Sequence, residues 1–199
     1  MGKGNSDIFK ALTYLFLGIS MATYFVPVIK VGIPPLGGAS WSVHDVVKMV
    51  PKGMSNKSEK SSFDFNFMDV LKKILPKSNH QKLSPTFIIG ILVPAALIAA
   101  YVLTFFNFFL AQVKKRNALF VSTALSAVLS IYALLGTYYL GLQARAAFEH
   151  AINKASQGIF GVIAKNFVPQ NVIQPDSGLY LLVIFTLLSF IATIYRKHA

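Results

Sequence analysis

The chain has no cysteine, one tryptophan and only 7 acidic side chains among its 199 residues. Without thiols it cannot form disulfides, thiolate metal sites, iron–sulfur clusters or a thiol nucleophile. Charge is scarce as well: 13% of residues are charged, about half the usual share of a soluble domain. Apolar residues take their place, at 54% of the chain, with a mean hydropathy of +0.57. They come in long uncharged blocks, which excludes a soluble enzyme, a disordered tail and a secreted disulfide scaffold. The charge that is present is lopsided, with 19 Lys and Arg giving a formal net charge of +12. In a membrane protein such an excess points to anionic lipid headgroups or an acidic partner. Nucleic acid is not expected, because no basic stretch is interleaved with aromatics in a soluble module.

A helix crossing the hydrocarbon core needs about 20 mostly apolar residues. Four segments qualify, Ala11–Ile29, Leu83–Val113, Asn117–Ala144 and Ser177–Tyr195, and none contains Lys, Arg, Asp, Glu or His. The expected fold is therefore all-α, one four-helix transmembrane domain. Ser20-Met21-Ala22 could serve as a signal-peptide cleavage site behind Lys3 and Lys10. The apolar run continues beyond it through Val26, Val28 and Ile29, so an uncleaved anchor is expected. Met1-Gly2 with Ser6 fits the short myristoylation pattern, which a four-span protein does not need. Ser84-Pro85 and Gln174-Pro175-Asp176-Ser177 read as helix starts, and Pro94 interrupts the hydrogen bonding of the second span.

Short basic flanks set orientation. Lys3 and Lys10 precede span one, Lys114-Lys115-Arg116 fills the turn between spans two and three, and Arg196-Lys197-His198 follows span four. With an even number of spans these sites share one side, read as cytoplasmic, and a bacterial inner membrane is the expected setting. The first outer loop carries nine lysines between Lys30 and Lys82, but long translocated segments obey the charge rule weakly.

The spans lack the ionisable groups that proton relays, ion pathways and voltage sensors require. His44, His80, His150 and His198 all lie outside them, leaving no axial ligand for a membrane haem. No cofactor, metal or catalytic residue is expected. Asn107 is the strongest polar group within the spans and reads as a helix–helix hydrogen bond. Small residues recur at helical spacing: Gly18 and Ala22 on span one, Ala95/Ala99 and Ala96/Ala100 on span two, and Ala118, Ser122, Ser126 and Ser130 on span three. Such ridges let helix backbones approach closely, within the bundle or against another subunit. Phe105, Phe106, Phe108 and Phe109 cover more than one helix face, so some of them must meet lipid or a partner.

The first outer loop, residues 30–82, contains an internal repeat. Trp41-Ser42-Val43-His44-Asp45-Val46-Val47-Lys48 aligns with Phe65-Asn66-Phe67-Met68-Asp69-Val70-Leu71-Lys72. Each unit places an aromatic residue before a capping residue, with Asp three positions after the cap. Apolar positions follow at helical spacing: Val43, Val46, Val47 and Val50 in one unit, Phe67, Val70, Leu71 and Ile74 in the other. Two short amphipathic helices are predicted, over residues 42–50 and 66–75, ended by Pro51 and Pro76. Helices this short are not stable alone in water, so Trp41, Phe65 and the two apolar strips are expected to be covered by the bundle, the lipid interface or another protein. In the second outer loop, residues 145–176, span three is expected to continue as an amphipathic helix with Phe148, Ile152, Ala155, Ile159 and Val162 on its apolar side. Together the loops would form a small helical cap. The expected function is a non-catalytic subunit that scaffolds a larger membrane complex. Its partners would be other integral membrane subunits and membrane lipids. The alternative is an oligomeric channel or facilitator for a neutral small solute.

Overall fold

In the computed structural model the described residues are 3–33, 37–45, 85–113, 116–155 and 172–198. They are mostly helical. Helix α1 spans Lys3–Ala22, α2 Pro85–Gln112, α3 Arg116–Ala155 and α4 Ser177–His198, and each contains a segment long and apolar enough to cross a membrane. Pro85 is the first residue of α2, where its missing N–H removes no helical bond. Asp176 starts α4 with its carbonyl, which accepts the Leu179 N–H at 3.0 Å, and its carboxylate takes the Ser177 N–H at 2.7 Å. Helix α2 runs through Pro94 unbroken.

Neighbouring helices run antiparallel, as their ring contacts record. Phe9 stacks on Tyr195 and Phe16 meets Phe185 between α1 and α4, Tyr14 meets Phe108 edge-on between α1 and α2, and Phe120 meets Phe190 between α3 and α4. The start of α1, the α2–α3 turn and the end of α4 therefore share one end of the bundle, called here the terminal end. Large side chains such as Leu15, Val102, Phe105, Val121, Val128, Leu135 and Ile184 point outward, as suits helices whose solvent is lipid.

The opposite end differs from the expected continuation of span one to Ile29. Helix α1 stops at Ala22, a 3-10 turn covers Thr23–Phe25, and Val26 is extended at φ −89°, ψ 141°. Pro27 is the reason: it lacks an N–H and disfavours helical geometry in the residue before it. Beyond it, Pro27–Ile33 forms β1 and Gly37–Ser42 forms β2, an antiparallel pair. The short strand β3, Ile173–Pro175, pairs with the other edge of β1, giving the order β2-β1-β3. In β1 Val28 is buried and Lys30 exposed, and the register shifts between Pro27 and Ile29, so the strand does not keep a strict inside–outside alternation.

The sheet end is thus strand as well as helix. Ser42, expected to begin the first repeat helix, ends β2, and residues 43–45 begin a helical turn. The remainder of that helix, the whole of 66–75 and residues 156–171 of the second outer loop lie outside the described residues. Helix α3 does continue past its span, to Ala155, with Arg145 and Glu149 paired one turn apart at 2.8 Å.

Candidate functional site

The bundle interior is small and hydroxyl-rich. Thr13, Ser20, Thr104, Thr123, Ser126, Ser130, Thr137, Thr186, Ser189 and Thr193 are all buried. A hydroxyl facing hydrocarbon must find an acceptor, and a helix offers the carbonyl one turn back. Thr104 donates to the Ala100 carbonyl at 2.8 Å, Thr137 to that of Ala133 at 2.7 Å and Thr193 to that of Ser189 at 2.8 Å. Three hydroxyl pairs also join separate elements: Thr104 with Ser126 at 2.9 Å, Ser130 with Thr186 at 2.9 Å, and Thr23 with Tyr101 at 3.0 Å.

The small-residue ridges divide between inside and outside. Ser126 and Ser130 are buried and make interhelical bonds, Ser122 is half-buried with its Oγ unpartnered, and Ala118 is exposed. Ala96 and Ala100 are buried, whereas Ala95 is exposed. On α1, Ala22 is exposed, and a Cβ built on Gly18 would meet nothing within 4 Å. The closest helix approach uses a glycine outside these ridges: a Cβ on Gly136 of α3 would overlap the side chain of Val93 on α2. Asn107 is 1% exposed, and among the described residues neither atom of its amide has a partner, so the expected interhelical bond is not formed there.

At the sheet end, two glycines let strands approach helix backbones. A Cβ on Gly141 of α3 would strike the Ile173 carbonyl of β3, and one on Gly178 of α4 would lie 2.6 Å from the Pro27 carbonyl oxygen. Asp176 adds a backbone bond, its N–H donating to the Val28 carbonyl at 2.9 Å. The Ser177 N–H holds the Asp176 carboxyl below the usual carboxylate range, opposed by partial burial and assisted by Ser40, the Ser177 hydroxyl and Lys30. Ser42 and Asp45 form the reciprocal bonds of a capping box: the Ser42 N–H donates to the Asp45 carboxylate at 3.0 Å and the Asp45 N–H returns to Ser42 Oγ at 3.2 Å. Val43, the first apolar residue of the repeat, is 2% exposed and packs with Val28, Leu97, Tyr101, Ala133, Leu179 and Leu182. Its apolar side chain is covered by the chain's own spans. Trp41 stands opposite Ile29 on the sheet and is partly buried. Tyr24 meets His44 and Phe25 edge-on, and Tyr138 and Tyr180 share a hydroxyl contact between α3 and α4. Val46, Val47, Val50, Phe65, Phe67, Val70, Leu71 and Ile74 lie outside the described residues.

At the terminal end, Arg196 departs from its expected role as a surface flank. It is 6% exposed, and its Nη2 crosses to α2 and donates to the Ala111 carbonyl at 3.3 Å. Its Nη1 is buried without a partner among the described residues. Sequence periodicity could not separate Arg196 from Lys197 beside it, and it missed Gly136, Gly141 and Gly178. Gly136 and Gly141 carried a usable signal, since each interrupts a run of helix-forming residues at a cost of about 1 kcal/mol, whereas Gly178, the second residue of α4, carried none. Comparison with protein families, with curated proteins and with solved structures finds no match.

Proposed function

We propose that this protein is a non-catalytic integral membrane subunit that scaffolds or stabilises a larger membrane complex, set in a bacterial inner membrane with both termini cytoplasmic. The reading is carried by Gly18. Glycine inside a helix lowers its stability by roughly 1 kcal/mol relative to alanine. Gly136, Gly141 and Gly178 each repay that with a close backbone approach within the chain. Among the described residues Gly18, itself half-buried, has no neighbour within 4 Å of an added Cβ, and Ala22, one turn on, is exposed. A small-xxx-small face turned outward fits close packing by a helix of another subunit. The capped and strand-braced sheet end supports the same reading, because it holds the four spans in one fixed arrangement.

Gly18→Leu tests this cleanly. The new Cβ meets nothing within 4 Å among the described residues and leucine favours helix over glycine, so thermal stability should be unchanged or slightly higher. Proteins that co-purify in mild detergent should be lost. A Gly18→Leu protein that keeps its partners in full stoichiometry would defeat the scaffold reading. A homomer that conducts a neutral solute would favour the channel instead.

A further inference from the structure

Among the described residues, three polar side chains with buried, unpartnered atoms lie toward the terminal end: Asn107, Ser122 and Arg196. The helix register brings their positions together. The Thr104–Ser126 bond sets α2 against α3, so that Asn107 and Ser122, each about one turn nearer the terminal end, stand at the same depth. Leu119 and Ala111 pack against each other one turn further on. Arg196 reaches the Ala111 carbonyl, and Ala111 follows Asn107 by four residues, on the same face of α2.

These groups are rich in donors and poor in counter-charge. A guanidinium presents its N–H groups in a planar fork that matches the oxygens of a phosphate or carboxylate. One arm of Arg196 is held by Ala111, while the other has no acceptor among the described residues. A buried cation with one N–H group left unpaired is destabilising, so an acceptor from outside the chain would stabilise this end. Cations outnumber acids at this end among the described residues: Lys10 on α1 and Arg116 on α3 join Arg196, against the exposed Asp7 of α1. The described ion pair, Arg145–Glu149, lies in the other half of α3. Arg196 is also the last residue of its membrane-crossing segment, the depth at which lipid phosphates lie.

We propose that Arg196, supported by the Asn107 amide, binds the phosphate of an anionic phospholipid headgroup at the terminal end of the bundle. Ala111 holds one arm of the planar fork, which leaves Nη1 as the donor offered to the phosphate. The site rests on the reading of this chain as a membrane protein but not on the scaffold role. A Gly18→Leu protein should therefore bind lipid normally even where partners are lost.

The test uses the full chain in nanodiscs of phosphatidylcholine, with and without phosphatidylglycerol, followed by thermal unfolding and by native mass spectrometry. The wild type should gain several degrees from phosphatidylglycerol and retain one such lipid with about tenfold preference over phosphatidylcholine. Arg196→Gln should lose both effects, and Arg196→Lys, which keeps charge but not the fork, should lose most of the preference. Lys10→Gln should keep them. If Arg196→Gln does not fold, Arg196→Lys and the wild-type lipid preference decide the matter. Equal gains in wild type and Arg196→Lys, or a loss in Lys10→Gln as large, would reduce the effect to general surface charge and overturn the site. A gain produced by inorganic phosphate in phosphatidylcholine discs would overturn the lipid assignment. So would a wild type indifferent to phosphatidylglycerol whose Arg196→Lys variant instead sheds a protein subunit.

Discussion

Ser130 and Thr186 share a 2.9 Å hydrogen bond between hydroxyls fully withdrawn from solvent. Each also lies within donating distance of a local carbonyl, Ser130 of Ala127 at 2.8 Å and Thr186 of Leu182 at 2.8 Å, so at any moment one of the two donates across and the other locally. The link between α3 and α4 is therefore an alternative use of protons that already have a home. Such bonds average about 0.6 kcal/mol in membrane bundles, with a maximum near 1.7. A double-mutant cycle of Ser130→Ala and Thr186→Val, followed by unfolding in micelles, should give a coupling in that range. A coupling near zero would mean that shape, not the hydroxyl pair, holds α3 to α4.

Gly136 makes the opposite kind of contact, one that depends on what is absent. Gly136→Ala should destabilise by about 1–3 kcal/mol, because Val93 is β-branched and stiff in a helix and lies where the new methyl must go. Adding Val93→Ala should recover part of the loss. Thermal midpoints of the three variants check this, and no recovery in the double variant would show that the contact lies elsewhere.

Gly178→Ala should injure the sheet end selectively. The new Cβ would face two backbone oxygens, of Pro27 at 2.6 Å and Val26 at 2.7 Å, and neither can swing aside as a side chain does. Hydrogen exchange should quicken at Asp176, whose N–H donates to Val28, and at Gly32, whose N–H donates to Val172. Amides in the middle of α2 and α3 should keep their protection.

Acid should loosen the same junction. The Asp176 carboxyl titrates below its usual range in the folded chain, chiefly through the Ser177 N–H. Its contribution is thus complete above the ordinary carboxylate value near pH 4 and is lost as pH falls through the lowered folded value. The wild type should lose stability over that acid interval more steeply than Asp176→Asn, whose amide does not titrate. Parallel curves for the two proteins would remove Asp176 as a contributor.

The four membrane-crossing helices were legible because each is an uncharged run longer than a buried soluble helix needs. Their starts at Pro85 and Ser177 were legible too, since caps and N-terminal prolines act locally. The capping box of Ser42 and Asp45 belongs to the same class of signal. The strands were not. Val28 and Ile29 extend an apolar block without a break in hydropathy, and the break that matters, Pro27, acts on backbone geometry. Strand β3 has three residues, too few to show a period, and its partner β1 comes from the first quarter of the chain. Arg196 was legible as a cation at a helix end but not as a buried one. Its inward turn depends on Ala111, which approaches only after α2 and α4 have packed. For the ridge on α1, spacing marked Gly18 and Ala22 as a packing face; in the folded chain Gly18 is half-buried with space for a Cβ and Ala22 is exposed, which spacing could not distinguish.

The order β2-β1-β3 has a consequence for synthesis. Strand β1 can pair with β2 as soon as a few more residues leave the ribosome, so one edge of it closes early and locally. Its other edge faces Ile173–Pro175, which is made only after α2 and α3 are complete. Until then β1 carries an open hydrogen-bonding edge, the feature that makes nascent chains vulnerable to wrong pairing. The final strand arrives directly ahead of α4, joined to it through Asp176, so insertion of the last helix and closure of the sheet become a single late event. A ribosome stalled before Ile173 would hold three helices in the membrane and a hairpin still waiting for its third strand.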